Sequence, residues 1–307
     1  MVPRRAREGR ARAGRTHENL RAWNRFVSGL LALLGFARRR SERDDSLAYP
    51  DRVAPAGLPD GGVAARARAW RNAVHASVCD VLEPWSHGTV VRATSRPSYW
   101  DFNAVRVEED PAMSAEELAA FADQALAGLA HRRVDFDLLE AAEPLRPDFE
   151  AKDWKATRLL WMRHEAPLPP GPDVAVEEVP YDAVHELRLA WDREDFPDQD
   201  PGDYRAFARE DSLRRGARVL VGRADREPVA FAQLERDGAA AEITHVYVHP
   251  EYRGAGRGTA LTRAAIEAAG DLRDLWITTD DEDRPKELYA RLGFRPAWVT
   301  MEFLRPA

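Results

Sequence analysis

Cysteine, lysine and long apolar runs are scarce in this sequence, and each scarcity excludes a class of protein. Cys79 is the only cysteine, so the chain can form no intrachain disulfide and no site with several thiolate ligands. We therefore expect a buried thiol in a reducing, cytoplasmic protein. No apolar run approaches the roughly 18 residues that a membrane span requires, so no span is expected. The three lysines among 45 basic residues indicate a coding bias rather than a function.

Charge is divided unevenly along the chain. The net charge is −7 at pH 7, yet residues 1–43 contain twelve arginines and three glutamates, a balance of +9 that leaves −16 for the rest. Phosphate contacts require a basic face, so we expect no nucleic-acid partner for the folded part. With 307 residues, the chain is long enough for two domains.

Two stretches rich in proline and glycine divide the chain. Residues 1–62 combine a basic start, a short apolar centre and a linker. They are interpreted as a disordered basic tail, an amphipathic surface anchor, or residues upstream of the true start codon, and we exclude them from the fold. A second cluster, APLPPGPD, runs from Ala166 to Asp173 and indicates a boundary. We expect one domain at 63–166 and another at 173–307.

Both halves show the order helix, strands, helix, strand, helix and strand, which predicts an α/β (α+β) protein built as a degenerate tandem repeat. In the first half we predict a helix from Val63 to before Pro84, with Ala65, Ala69, Val74 and Val78 broadly on one side. A second helix at 114–129 is opened by the capping box of Ser114 and Glu117. The predicted strands are 88–94, 102–108, 134–139 and 157–163. In the second half we predict strands at 174–179, 218–223, 228–235, 241–248, 275–279 and 297–304, and helices at 181–194, 204–214, 258–269 and 285–292.

Three glycines alternate in HPEYRGAGRG, at positions 254, 256 and 258, between a β-branched strand and an alanine-rich helix. The first turn of a helix leaves N–H groups without partners at the positive end of the helix dipole, so this loop predicts phosphate binding. A plain glycine-rich turn is the alternative. A Walker loop would need a lysine that GRGT lacks, and fewer than fifty residues follow Gly258, which is too few for a dinucleotide fold.

These residues resemble a known signature. Arg253, Gly254, Gly256 and Gly258 after VYVHPEY look like the Arg/Gln-x-x-Gly-x-Gly motif of the GNAT superfamily of acetyl-CoA-dependent N-acetyltransferases, and LYARLGF (288–294) is similar to that family's C-terminal motif. The resemblance covers about residues 173–307, and the first half resembles the family only in its order of elements. It implies tandem GNAT-like domains, each a mixed, mostly antiparallel sheet flanked by helices. The sheet of the second domain is expected to splay open around acetyl-CoA.

The resemblance also implies which residues bind acetyl-CoA, and no metal is expected. The pantetheine arm and the thioester carbonyl would meet backbone groups of Val246 and Val248. The pyrophosphate would lie on the backbone amides of Gly254, Ala255, Gly256, Arg257 and Gly258, beside the charges of Arg253 and Arg257.

Tyr289 matches the position at which many family members place the general acid for the departing thiolate. A phenol with a pKa of about 10 is protonated at neutral pH and can give its proton to sulfur. The alternative is an aromatic side chain that packs beneath the last strand, as Leu288 and Phe294 do in that interpretation.

A general base must take the proton of the incoming amine. Glu242, on the strand that leads into the loop, is the first candidate, and His245 is the second. They lie on opposite parities of the strand, so only one can face the cleft unless the strand contains a bulge. The alternatives are a solvated Glu242 and a half-buried His245.

The acceptor is expected to be a small primary amine, because an acidic segment follows the first helix of the second half and would attract cations. A solvated acidic loop is the alternative interpretation of its members, Asp192, Glu194, Asp195, Asp198, Asp200 and Asp203. Two positions depart from the family pattern: Glu282 replaces an asparagine and Pro285 replaces a small residue.

The expected activity is direct transfer of an acetyl group from acetyl-CoA to an amine. A non-catalytic CoA-binding sensor or structural module is the alternative function. The first half lacks the glycine loop, so it is expected to be non-catalytic. Binding of the acceptor or of a dimer partner, as in a homodimer, is a further option for this half that the sequence leaves open.

Overall fold

The computed structural model describes residues 62–195 and 202–306. The basic tail expected at 1–62 therefore lies outside the described residues except for Gly62, as do Asp198 and Asp200. The first half contains α1 (Val63–Val78), β1 (Val81–Trp85), β2 (Gly88–Arg92), β3 (Ala104–Val107), α2 (Ala115–Ala125), β4 (Arg132–Phe136), α3 (Leu139–Ala142), α4 (Arg146–Glu150) and β5 (Lys155–His164).

The second half repeats this order with two helices near its start. It contains β6 (Val176–Val179), α5 (His185–Asp195), α6 (Gly202–Arg214), β7 (Arg218–Ala224), β8 (Glu227–Asp237), β9 (Ala240–Val248), α7 (Arg257–Ala269), β10 (Asp274–Asp280), α8 (Pro285–Arg291) and β11 (Phe294–Arg305). Within each half, antiparallel strands precede one parallel pair, β3 with β4 and β9 with β10. The expected tandem fold of mixed, mostly antiparallel sheets flanked by helices is confirmed.

The two sheets are joined into one, which the sequence did not predict. Across the described residues the strand order is β1-β2-β3-β4-β11-β5-β10-β9-β8-β7-β6. β5 of the first half pairs with β10 and β11 of the second half. β11 in turn pairs with β4 and β5 of the first half. All of these pairs are antiparallel. The halves have therefore exchanged their last strands.

The strands β9 and β10 separate part of the way along their length. Their parallel pairing ends at Ile243 opposite Ile277. Beyond this point β10 continues to Asp280 against β5, while β9 continues to Val248 against β8 alone. One edge of the last residues of β9 therefore borders a wedge-shaped gap in the sheet.

Separate hydrophobic clusters hold the two sides of the second half. On one side α7 covers the sheet, and Leu261, Ala265 and Ile266 pack with Ile243 and Val246. On the other side a smaller cluster joins Trp191 of α5 to Phe231 and Tyr247. Burial of large apolar side chains at about 1.5–3 kcal/mol each is the main stabilising contribution of such clusters.

The first helix ends at Val78, before Pro84 as expected, but the prediction of its apolar face was wrong. Its buried apolar residues are Ala67 and Trp70 rather than Ala65, Ala69, Val74 and Val78. Pro84 lies in the unpredicted strand β1, where proline is tolerated because β1 is the edge of the sheet and its outer side needs no ladder hydrogen bond. Cys79 directly follows the helix; it is buried as expected, and its thiol donates to the carbonyl of Phe102 at 3.4 Å.

Candidate active site

A bulge in β9 brings both candidate bases to one face of the sheet. His245 pairs with Gln233 and Ile243 pairs with Leu234, so Thr244 is the extra residue. An extra residue reverses the alternation of side chains beyond it. Glu242 and His245 consequently line the same cavity, although their parity in the sequence is opposite.

That cavity, of about 210 Å³, lies on the side of the sheet opposite α7 and is built by both halves. Tyr99, Asp101 and Arg133 of the first half face residues of α5, α6, β8 and β9 across it. The wedge between β9 and β10 also opens here, because Thr278 and Thr279 of β10 contribute to the lining. A substrate in the cavity would therefore reach the gap in the sheet.

Glu242 is held by two neutral donors. The indole Nε1 of Trp70 donates to its carboxylate at 2.7 Å, and the hydroxyl of Thr278 donates at 3.1 Å. Burial raises the pKa of Glu242, while the Trp70 hydrogen bond and the charge of Arg215 oppose that increase. A carboxylate with a raised pKa is a stronger proton acceptor than an exposed one. No local sequence pattern pointed to Trp70, which belongs to the other half of the chain.

His245 is held beside an aromatic side chain. Its Nδ1 lies 3.0 Å from the Thr244 hydroxyl, and its ring meets the Trp191 ring edge-on at 5.3 Å between centroids. Burial and the nearby charges of Arg188 and Arg205 lower the pKa of His245 well below its usual value. The imidazole is therefore neutral near pH 7 and is a weak base.

The glycine loop leaves the start of α7 open. Gly254 and Gly256 have φ values of 81° and 75°, which favour glycine, and Gly256 is the N-cap residue. No side chain caps this helix, so its first N–H groups are directed at the space in front of the loop. A Cβ on Gly256 would lie 3.1 Å from Pro172. Bare backbone and uncapped amides fit a pyrophosphate at Gly254, Ala255, Gly256, Arg257 and Gly258.

The side chain of Arg253 is directed away from this loop. Its Nη2 contacts both carboxylate oxygens of Glu194 at 2.8 and 2.9 Å, and its Nε donates to the carbonyl of Val248 at 2.9 Å. Arg257 lies beside the loop, with its guanidinium 5.5 Å from the centre of the Tyr252 ring. Arg257 is thus the better placed of the two charges for an anion on the loop.

Val246 and Val248 lie on the strand edge that borders the wedge. On β8 they pair with Ala232 and Ala230, and their side chains pack under α7. The opposite edge of their backbone faces the gap left by β10. Their contact with a pantetheine arm stays a prediction.

Tyr289 lies on the α7 side of the sheet, away from the cavity that holds Glu242. Its ring is fully buried in the core and meets Phe294 edge-on at 6.2 Å. Among the described residues its hydroxyl has no hydrogen-bond partner. Burial raises the pKa of Tyr289, which keeps the phenol protonated at neutral pH. A buried, unpartnered hydroxyl is costly, and a ligand in the wedge would be a natural partner.

Two members of the acidic segment form ion pairs. Asp192 forms a buried ion pair with Arg205, and Glu194 pairs with Arg253, whereas Asp203 is exposed. The attraction of a cationic acceptor by this segment stays a prediction. Of the two departures from the family pattern, Glu282 accepts from Arg146 at 2.9 Å, and Pro285 begins α8, a position suited to proline.

Comparison with known proteins finds a match in the second half of the chain. Residues 215–296 match the model of the acetyltransferase (GNAT) domain. An uncharacterized N-acetyltransferase of Methanocaldococcus jannaschii is 39% identical over 69 residues, which cover 21% of this chain and 30% of that protein. This part of the chain is therefore similar to GNAT acetyltransferases, and the similarity supports acyl transfer in general terms.

Two solved structures share the fold over most of the chain. A functionally unknown protein from Staphylococcus epidermidis is 15% identical with a TM-score of 0.58, and the match covers 74% of this chain and 94% of that one. A GCN5-related N-acetyltransferase from Kribbella flavida is 17% identical with a TM-score of 0.52, covering 80% and 97%. The shared fold thus extends over both halves.

Two searches within the described residues found nothing. No helix there is long and apolar enough to cross a membrane. The same residues contain no cluster of His, Cys, Asp and Glu suited to a metal ion.

Proposed function

We propose that this protein transfers an acetyl group from acetyl-CoA to the primary amine of a small molecule, directly and without an acetylated enzyme. The observation that carries the proposal is the split in the sheet. The glycine loop lies at the uncapped start of α7, on one face of the sheet, and the free edge of β9 borders the wedge. The cavity that contains Glu242 lies on the opposite face. Donor and acceptor would meet in the gap.

Acetyl-CoA supplies the reactive thioester in this scheme. The amides of residues 254–258 and the charge of Arg257 would bind its pyrophosphate, and the backbone of Val246 and Val248 would hold its arm. An amide on β9 that points into the wedge would stabilise negative charge on the thioester oxygen, because it is oriented before the reaction begins.

Glu242 is the proposed base. As the amine nitrogen forms its bond to the acetyl carbon and the carbon–sulfur bond breaks, one proton of the amine passes to the carboxylate, directly or through water. Its raised pKa favours this transfer. His245 faces the same cavity but is the weaker acceptor, because its pKa is lowered.

Tyr289 is the proposed acid, which donates the phenol proton to the departing sulfur. Its support is a protonated hydroxyl on the α7 side of the sheet that has no hydrogen-bond partner among the described residues. The scheme assigns binding and catalysis to 173–307 and leaves 63–166 non-catalytic, although that half contributes Trp70 and one wall of the cavity. A cytoplasmic location, suggested by the lone buried Cys79, belongs to the same proposal.

The test combines binding with turnover. Calorimetry should show acetyl-CoA binding, and release of free thiol should be followed over a panel of small amines. Glu242→Gln should lower kcat roughly 100- to 10,000-fold, as expected for loss of a general base, while acetyl-CoA affinity stays the same. Tyr289→Phe should lower kcat with an unchanged KM for acetyl-CoA. The exposed Glu186→Gln on α5 is the control.

Binding of acetyl-CoA without turnover on any amine would instead identify a CoA-binding sensor. Full activity of Glu242→Gln together with loss of activity in His245→Gln would move the base to the histidine.

A further inference from the structure

Most charges that line the cavity are already neutralised in pairs. Arg133 contacts Asp101 and Glu302. Arg205 contacts Asp192, Arg215 contacts Glu235, and Asp211 contacts Arg96 and Arg214. Each of these charges therefore already has a partner of opposite sign.

Two groups of opposite charge at this cavity have no ion-pair partner in the described part of the chain: Arg188 and Glu242. Glu242 accepts only from the neutral donors Trp70 and Thr278. Arg188 donates from Nη2 to the amide oxygen of Gln233 at 2.7 Å. Within residues 62–195 and 202–306, the cavity therefore presents one cation and one anion without an ion-pair partner.

The burial of the Arg188 guanidinium favours the binding of an anion. Its side chain lies on α5, the residue is 3% exposed, and its Nε has no hydrogen-bond partner within the described ranges. The guanidinium carbon lies 4.1 Å from the centre of the Tyr181 ring and 4.6 Å from that of Phe231. Burial lowers its pKa to about 10, so it remains charged at neutral pH. Aromatic faces offset only part of the cost of burying a cation.

The pairing of β8 with β9 gives the step between the strand positions that adjoin the two groups. Gln233, which holds Arg188, pairs with His245, and Glu235 pairs with Glu242. Gln233 and Glu235 are two residues apart on one face of β8, a step of about 7 Å. A small molecule with an amine and an anion a few bonds apart can span such a step.

We propose that the acceptor is a small amino acid-like molecule, whose carboxylate binds the guanidinium of Arg188 while its amine lies at Glu242. A planar guanidinium matches a carboxylate with two parallel hydrogen bonds. This inference rests on the proposed acetyl transfer for its reaction but not for its binding site. Arg188 is a specificity-determining residue in this arrangement and takes no part in proton transfer.

The test compares matched amines on the unaltered protein. Alanine, leucine and phenylalanine are each measured against the corresponding amide and the decarboxylated amine, both for acetylation and for binding by calorimetry in the presence of CoA. The acids should bind at least tenfold more tightly than their amides, since a hydrogen bond to a charged group is lost. Equal binding and equal turnover of acid and amide would overturn the inference.

Arg188→Met and Arg188→Lys locate the effect. Methionine keeps apolar contact with Tyr181 and Phe231, so KM for the acids should rise about 10- to 100-fold while kcat stays within about twofold. The amides should be unaffected, and lysine should restore part of the affinity. Arg193→Met, on the exposed face of the same helix, is the matched control.

The outcomes separate this inference from the proposed function. Binding of amino acids that depends on Arg188, with no turnover of any amine, would support the binding site and remove the acetyltransferase. Turnover that ignores the carboxylate and Arg188 would do the reverse. A tenfold preference for 2-aminoethyl phosphate over β-alanine would overturn the assignment of the anion as a carboxylate.

Discussion

The two parallel strand pairs of the sheet differ at the point where they end. In the first half, β3 and β4 are paired to the last residue of β3, and the amide of Asp137 continues the ladder by donating to Val107. In the second half, β9 extends five residues past its last pair with β10, from Thr244 to Val248. The cleft therefore forms where both strands continue past their last mutual pair, each against a different neighbour.

The helices that follow these strands differ in how their first turns are satisfied. The hydroxyl of Ser114 accepts from the amide of Glu117 at the start of α2, and the Glu117 carboxylate accepts from the Ser114 amide, which is a complete capping box. At the start of α7 the N-cap is Gly256, with no side-chain cap. α2 supplies its own carboxylate, that of Glu117, at the position where an external anion would bind, whereas α7 leaves that position open.

The candidate base differs as well. Glu242 precedes the last parallel pair of β9, and in β3 the corresponding residue is Arg106, a buried guanidinium paired with Glu108. A guanidinium does not accept a proton. The first half therefore lacks the gap, the open helix start and the base, which is why its contribution to the site is limited to walls and hydrogen bonds.

The largest effect should come from separating the halves. We expect fragments 62–170 and 171–307 not to fold alone, because each contains a last strand whose neighbours include strands of the other fragment. Circular dichroism should show no cooperative melt for either fragment, whereas coexpression should return a soluble complex. A cooperative melt of fragment 62–170 alone would show that the first half does not depend on the exchange.

The next largest effect should come from closing the open helix start. A Cβ at Gly256 meets Pro172 and imposes an unfavourable φ, so Gly256→Ala should weaken acetyl-CoA binding about tenfold through a shift of the loop. Gly270→Ala is the matched control: it has a positive φ of 67° at the other end of α7, with nothing within 4 Å of its Cβ. Calorimetry on both variants tests this, and equal losses would mean that only helix stability matters.

Local sequence patterns were enough to predict much of the fold. The alternating strands 218–223, 228–235 and 241–248 and the helix at 258–269 lie within a few residues of the observed elements, and the capping box at Ser114 is confirmed. Local rules succeed there because each segment contains its own caps, turns and periodicity. β1 was missed because Pro84 usually ends a strand, and only its edge position makes it tolerable.

The site was harder to predict because it depends on contacts between distant segments. The bulge at Thr244 has no local signature, yet it decides that Glu242 and His245 face the same cavity. Trp70 reaches Glu242 from the first helix, and Arg188 reaches the cavity through the packing of α5, which a single sequence does not reveal. The roles of the glycine loop and Tyr289 came from a family resemblance, and they stay predictions.

A smaller effect should show that the first half tunes the base in the second. The Trp70 indole stabilises the charged form of Glu242, so Trp70→Phe should raise the pKa of Glu242 further. Because the base must be deprotonated, kcat/KM rises with pH through this pKa, and its acid limb should move to higher pH by about one unit. Trp161→Phe, a buried indole of the same cluster, should leave the limb in place. If the acid limb of Trp70→Phe does not move, Trp70 of the first half does not influence the pKa of the base in the second.

The smallest effect concerns stability at a residue that belongs to both halves. Glu302 lies on β11 of the second half but contacts Arg133 of the first, and burial raises its pKa to about 7. An acid whose pKa is raised by folding stabilises the folded state below its unfolded pKa of about 4.3, and this contribution is lost as pH rises through 7. Glu302→Gln should therefore flatten the fall in unfolding free energy between pH 5 and 8 by on the order of 1 kcal/mol. Urea unfolding across this range, with the exposed Glu150→Gln as control, measures it. An equal slope in both variants would mean that Glu302 is already ionised in the folded protein and that Arg133 dominates its surroundings.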